Sequence, residues 1–188
     1  MKNAKPDDFN PEDRIHSVLL SNHIHFLSGD INEESISKCI KWLIYESIEA
    51  TPEKVLTLYI NSEGGELYQA FALISIMRNC PHVIKTIAIG SVMSAGFLIF
   101  ASGTKGERYI TKHTGAMCHQ FSDATEGKFH DIKTAMYEAE MCNQRMIDIL
   151  QRATGLPATT ITEKLLPASD VYFSAKEMVD LGVADHII

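Results

Sequence analysis

Residues 83–101 read VIKTIAIGSVMSAGFLIFA, and the way this stretch divides decides the fold. Residues 83–89 are a short, β-branched, mostly apolar run, which predicts a buried strand. Gly90-Ser91 then punctuates the chain. Residues 94–101 are almost wholly apolar again, and they predict a short helix that must be buried. Lys85, Thr86, Gly90, Ser91, Ser94 and Gly96 break the run too often for a membrane helix.

The same grammar repeats outward. Upstream, VLTLYI at residues 55–60 reads as a strand, followed by Asn61-Ser62-Glu63-Gly64-Gly65. Residues 66–77 then place Ala70, Leu73, Ile74 and Met77 on one helical face. Further back, residues 32–49 predict a helix presenting Ile36, Ile40, Leu43, Ile44 and Ile48. Asn32 is its cap, and Pro52 lies beyond its end. Residues 15–27 read as a short helix and a strand closing at Gly29. Downstream, residues 108–111 and 115–118 are short strand candidates. Strands alternating with helices require crossovers, hence an α/β fold on a largely parallel sheet.

Residues 125–154 form the longest periodic segment, with Phe129, Ile132, Met136, Ala139, Met146 and Ile149 in phase and Gly155 as a stop. A helix of that length exceeds the body of a small domain. It is expected to project and to bury its apolar stripe on another chain. The alternative is a helix laid back along its own sheet. Residues 174–181 predict a helix capped by Ser174 with Glu177, stopping at Gly182, and VADHII reads as a last strand.

Composition bounds the function. The chain has 188 residues, with 17 basic and 24 acidic side chains and a net charge of −7. That length suits one domain, here residues 15–188 behind a flexible polar arm at 1–14. The acidic balance argues against nucleic-acid binding and gives no attraction to anionic lipid. Cys39, Cys80, Cys118 and Cys142 are scattered, with no metal-like cluster. They read as reduced interior thiols of a cytoplasmic protein, and the N-terminus has no secretory signal.

Four places carry possible chemistry. Ser94 stands where a buried strand meets a helix, beside the free amides of a first turn. Its residue type alone favours a structural hydroxyl. Val92 breaks the GxSxG elbow pattern and so disfavours an α/β-hydrolase. Gly64-Gly65 ends another strand, and is either a plain turn or a backbone amide exposed for want of a Cβ. His119 in MCHQ is a general-base candidate if it reaches Ser94. Asp170 in SDVYFSA is its carboxylate candidate, although an Asp before a strand is more often a turn residue.

Together, LYINSEGG, GSVMSAGFLIFASGTKGERY, MCHQ and SDVYFSAKEMVDLGVAD resemble the proteolytic subunit family of the Clp protease, ClpP, in the same order over residues 15–188. The resemblance implies a ClpP/crotonase-like spiral of ββα units with a protruding handle helix at 125–154. It implies a serine endopeptidase with Ser94 as nucleophile, His119 as general base and Asp170 as its orienting carboxylate. The oxyanion amides fall on Gly65 and Ala95. Substrate would lie extended against Gly65, Glu66 and Leu67 on one side and Gln120 and Phe121 on the other. The family stacks two seven-membered rings around a chamber and takes unfolded polypeptide from a hexameric AAA+ unfoldase. That partner uses the ATP, and the peptidase needs no metal or cofactor of its own.

The chain departs from the family pattern at several points. Glu63 replaces a usual proline in the NSPGG text, and Phe121 replaces the proline after His-Gln. FSDATEGKFHD lacks the usual glycine-rich approach to the handle. Near the unfoldase cleft Tyr59 and Ile89 are retained, whereas Thr57 and Asn79 replace aromatic residues. These changes motivate a second expectation, a regulatory ring subunit that depends on a partner for activity. A third is a crotonase-like acyl-CoA enzyme using the Gly64-Gly65 amide, which the Ser94, His119 and Asp170 set disfavours.

Overall fold

The computed structural model describes residues 10–48, 54–122 and 124–188. The expected arm lies outside the described residues up to position 9. Its last four residues are helical, because α1 (Pro11–Ser21) begins at Pro11 with Asn10 as its cap. Proline at the first helical position is pre-set in φ and has no N–H to leave unpaired. Next come β1 (Ile24–Ser28), α2 (Glu33–Ile48), β2 (Val55–Ser62), α3 (Leu67–Asn79), β3 (Val83–Met93) and α4 (Ala95–Ala101). They are followed by β4 (Arg108–Ile110), β5 (Gly115–Cys118), α5 (Phe129–Thr154), α6 (Ala158–Lys164), β6 (Val171–Phe173), α7 (Ala175–Asp180) and β7 (His186–Ile187).

Among the described residues the sheet has seven strands. Its main path is β1-β2-β3-β4-β7, with β5 beside β3 and β6 beside β5. All pairs are parallel except β5 with β6. The strand expected at 83–89 runs on to Met93, past Gly90. Gly90 adopts φ +62°, and a Cβ there would meet Asn61 Oδ1 at 2.5 Å. That oxygen instead accepts the Ser91 N–H at 3.0 Å. The bend lets β3 serve two partners in succession. Its lower part pairs with β4 at Thr86–Ala88, and its upper part pairs with β5 at Ser91–Met93.

The α3 helix buries Ala70, Leu73, Ile74 and Met77, the face its spacing predicts. The α2 face is rotated from the expected one. Ile36, Cys39, Trp42, Leu43 and Glu46 are buried, while Ile44 and Ile48 are exposed. Glu46 is tolerated inside because Lys54 Nζ lies 3.3 Å and His23 Nδ1 2.9 Å from its Oε2. The Asn32 cap is present, its Oδ1 accepting the Ser35 N–H at 3.0 Å.

The long helix α5 starts at Phe129, four residues later than expected, after Lys128 and Asp131 form a capping box. Its 26 residues span about 39 Å. Its buried residues, Cys142, Met146, Ile149 and Leu150, all lie in the second half. Phe129, Met136 and Tyr137 in the first half are exposed. The short α6 lies in a stretch where no helix was expected. Ser174 and Glu177 form the expected capping box of α7.

One buried ion pair ties the C-terminal segment to the sheet. Arg108 is 1% exposed, and its Nη2 and Nε donate to Asp185 Oδ1 and Oδ2 at 2.6 and 2.8 Å. Its Nη1 donates to the Ala153 carbonyl at 3.0 Å, joining the end of α5. Burial alone would raise the Asp185 pKa. The Arg108 hydrogen bonds and charge outweigh it and hold the carboxyl below its ordinary 3.8. A depressed acid stabilises the fold fully above its unfolded pKa, and that stability drains away as pH falls below 3.8. Asp185→Ala leaves the buried Arg108 charge without its counter-ion and is expected to cost about 3–5 kcal/mol in urea unfolding at neutral pH. In the variant the acid-side loss of stability should also be smaller than in the wild type.

Candidate functional site

The convergence of Ser94 and His119 follows from strand register. Met93 pairs with Met117 across β3 and β5, and the Ser94 N–H donates to the Met117 carbonyl at 2.9 Å. One residue beyond the register, Ser94 faces the end of β5, and His119 follows at once. Ser94 Oγ lies 2.8 Å from His119 Nε2. Asp170 stands just before β6, which pairs with β5 antiparallel through Cys118 and Val171. Its Oδ1 is 3.9 Å from His119 Nδ1, near enough for charge attraction but too long for a hydrogen bond. The Asp170 side chain is 56% exposed and that of His119 22%.

Ser94 adopts φ +52°, a strained conformation for a residue with a Cβ. It caps α4, whose seven residues are all buried. The strain is held in place by that burial below and by β5 alongside. Strand-to-helix turns of this kind lift a side chain clear of the sheet, and here the hydroxyl emerges at the carboxyl ends of parallel strands.

The Gly64-Gly65 pair packs against this turn, and both glycines are required by close approach. A Cβ on Gly64 would lie 2.7 Å from Ser94 Cβ, and one on Gly65 would lie 2.3 Å from the Ile31 carbonyl oxygen. Ile31 N–H donates to the Gly64 carbonyl at 2.8 Å, and Glu66 N–H donates to the Ile31 carbonyl at 2.7 Å. This parallel bridge of Ile31 with Gly65 uses the Gly64 carbonyl and the Glu66 N–H, and leaves the Gly65 N–H out of the pairing. Ala95 is the first residue of α4, so its N–H belongs to the first turn, which has no acceptor within the helix.

A cleft of about 810 Å³ runs through this region. It is lined by Gly65, Glu66 and Leu67 on one side and by His119, Gln120 and Phe121 on the other, with Ser94 between. Residues after β5 are fixed as a wall. Gln120 Nε2 donates to the Leu166 carbonyl at 3.0 Å, and Asn143 Oδ1 accepts the Phe121 N–H at 2.8 Å. The structure therefore brings all nine candidate positions to one region, with Asp170 at its margin.

The cleft also contains residues that sequence reading passed over, namely Asp30, Ile31, Tyr68, Glu138 and Met146. Tyr68 and Glu138 lie 70 positions apart, and no local pattern joins them. Burial pushes the Cys39 and Cys118 thiols up to about 12, so both remain protonated and unreactive at neutral pH. All four cysteines are unpaired. Among the described residues no group of three histidine, cysteine or acidic side chains is placed to hold a metal ion. No helix among them is long and apolar enough to cross a membrane.

A cleft at strand ends, with a serine hydroxyl against an imidazole and backbone amides beside it, is the arrangement of a serine hydrolase. The family model described as Clp protease matches residues 10–188. The chain belongs to the Clp protease family, and its mixed α/β fold is that of a ClpP-type peptidase.

The close approach of Gly64 gives a direct check on this geometry. Gly64→Ala should destabilise the protein by about 1–3 kcal/mol through its positive φ and should also abolish labelling of the serine by a fluorophosphonate. Gly106→Ala is the control, because Gly106 shares a positive φ but faces open space. It should lower the melting temperature and leave labelling intact. Equal labelling of both variants would mean that the Gly64 contact does not set the Ser94 turn.

Proposed function

We propose that this chain is a serine endopeptidase subunit of an ATP-driven Clp-type protease, acting through Ser94, His119 and Asp170. The observation that carries the reading is the 2.8 Å approach of Ser94 Oγ to His119 Nε2. At that distance Nε2 takes the hydroxyl proton as Oγ attacks the scissile carbonyl carbon. Charge develops on the carbonyl oxygen, and the Gly65 and Ala95 N–H groups are the donors that receive it. His119 then passes its proton to the leaving amine, and an ester joins Ser94 to the acyl fragment. A water molecule, deprotonated by the same nitrogen, attacks that ester and frees the acid. Asp170, 3.9 Å from Nδ1, balances the imidazolium by charge, and closing that gap to hydrogen-bond range would fix the tautomer with Nδ1–H.

Substrate lies as an extended strand between the edge at Gly65, Glu66 and Leu67 and the segment at Gln120 and Phe121, paired through main chain. Recognition of main chain suits a protease that takes many unfolded polypeptides. Self-association into stacked seven-membered rings, with the exposed Phe129, Met136 and Tyr137 of α5 at the ring contact, follows the family pattern. So do an AAA+ unfoldase as partner, with ATP used there, no cofactor on this chain and a cytoplasmic location.

One observation favours a second reading, that of a ring subunit needing a partner for activity. The 3.9 Å gap between Asp170 and His119 leaves the imidazole without its orienting hydrogen bond in the single chain. A fluorophosphonate separates the two readings. Labelling of the isolated protein, absent in Ser94→Ala, is the expected result for a self-sufficient peptidase. Labelling that appears only after mixing with a ClpP partner or an unfoldase assigns the partner-dependent role. Peptide turnover in Ser94→Ala should fall by about three powers of ten or more. Turnover that the isolated wild type shows and Ser94→Ala keeps unchanged would sink the assignment of Ser94 as nucleophile.

A further inference from the structure

The cleft beside Ser94 is lined by three carboxylates, Asp30, Glu66 and Glu138, with no lysine or arginine among its lining residues. Glu138 is the one held by a defined contact. On α5 it shares a stripe with Cys142 and Met146, at successive spacings of four. Cys142 and Met146 are buried, so the stripe faces the body of the protein. Met146 and Glu138 both line the cleft, the first buried and the second exposed. The wall therefore passes from apolar to acidic along one helix face.

Tyr68 fixes the acidic end. Its Oη donates to Glu138 Oε1 at 2.9 Å and lies 3.8 Å from Cys142 Sγ. The hydrogen bond to Glu138 pushes the tyrosine pKa up, so its proton stays in place to serve as that donor. Arg145 sits over the Tyr68 ring at 5.9 Å, but it lines the neighbouring hollow with Arg78 and Asp148. No lysine or arginine is among the described residues that line the cleft with Glu138.

An apolar wall rising to a held carboxylate matches a side chain with a long aliphatic stem and a cationic head. We propose that the cleft selects a lysine or arginine of the substrate, its stem on Leu67, Phe121 and Met146 and its head at Glu138. Asp30 and Glu66 deepen the negative field around it. The inference rests on Ser94 being the nucleophile of this cleft, and adds a side-chain preference to main-chain recognition.

The test uses the full-length assembled protein and quenched fluorescent peptides with lysine, norleucine or glutamate at one position in constant flanks. Fluorophosphonate labelling of Ser94 is recorded in parallel. Norleucine carries the lysine stem without its charge. Lysine should exceed norleucine at one position by about fivefold, the factor an exposed ion pair supplies. The ratio should shrink toward one at about 1 M salt. Glu138→Gln should bring it near one at low salt, and Glu138→Lys should favour glutamate. Glu66→Gln, a change in the same cleft but outside α5, should lower the ratio by a smaller factor if Glu138 variants disturb assembly. Labelled Ser94 and active turnover, with lysine never preferred, would overturn the selectivity and leave the peptidase reading intact. A preference untouched by Glu138→Gln would remove Glu138 from the role. Neither labelling nor turnover of any peptide, with a ClpP partner or an unfoldase also supplied, would overturn the selectivity and the peptidase reading together.

Discussion

The divided pairing of β3 is the constraint on which the rest of the site depends. A strand with one partner along its length would carry its neighbours straight to the sheet edge. Here β4 ends opposite Ala88, and β5 begins opposite Ser91. The turn between them is pinned to the same strand, because Thr111 N–H and Thr114 Oγ1 donate to the Ala88 carbonyl at 3.1 and 3.0 Å. Two short strands thus share one edge of β3 in tandem. The second is placed so that its end, at His119, comes level with the end of β3, at Ser94. The Gly90 bend and the Asn61 side chain behind it make the division possible.

The strained serine depends on the same arrangement. A positive φ outside glycine costs of order 1–3 kcal/mol and persists only where its surroundings over-determine it. Three surroundings do so here. The Ser94 N–H is tied to β5, α4 is buried over its whole length, and Gly64 fills the space a side chain would need. Gly64 is itself held by Ile31, so the second strand end is locked to the first. The cleft is therefore built largely from backbone, which accounts for glycines where the two strand ends meet.

Much of this was legible in the sequence because it is local. Strand runs ending in Gly64-Gly65 and Gly90-Ser91 mark the carboxyl edge of a parallel sheet, and Ser94, Gly65 and His119 stand at such ends. The α3 face could be read because its core positions are all apolar letters. The α2 face could not, since its core includes Cys39, Trp42 and Glu46, and Glu46 is compensated by Lys54 and His23 from outside the helix. Gly90 read as a strand terminus because a positive φ usually ends a strand, whereas here it bends one. Tyr68 and Glu138 were invisible because they meet only when the first turn of α3 comes against a helix 70 positions away.

The two contacts of His119, with Ser94 and with Asp170, differ in rigidity. The Ser94–His119 distance is fixed between two strands of the parallel sheet. Asp170 is carried by the turn ahead of β6, a strand of three residues that among the described residues pairs with β5 alone. Its side chain and that of Tyr172 are exposed, so little within the chain holds the carboxylate against His119. A shift of roughly 1 Å would bring Nδ1 and Oδ1 into hydrogen-bond range, and a neighbouring surface packed on β6 would supply it. The nucleophile and its base would then be set by folding, and the orientation of the base by assembly. On the proposed reading, that division would keep an unassembled peptidase from full activity without any separate inhibitory element.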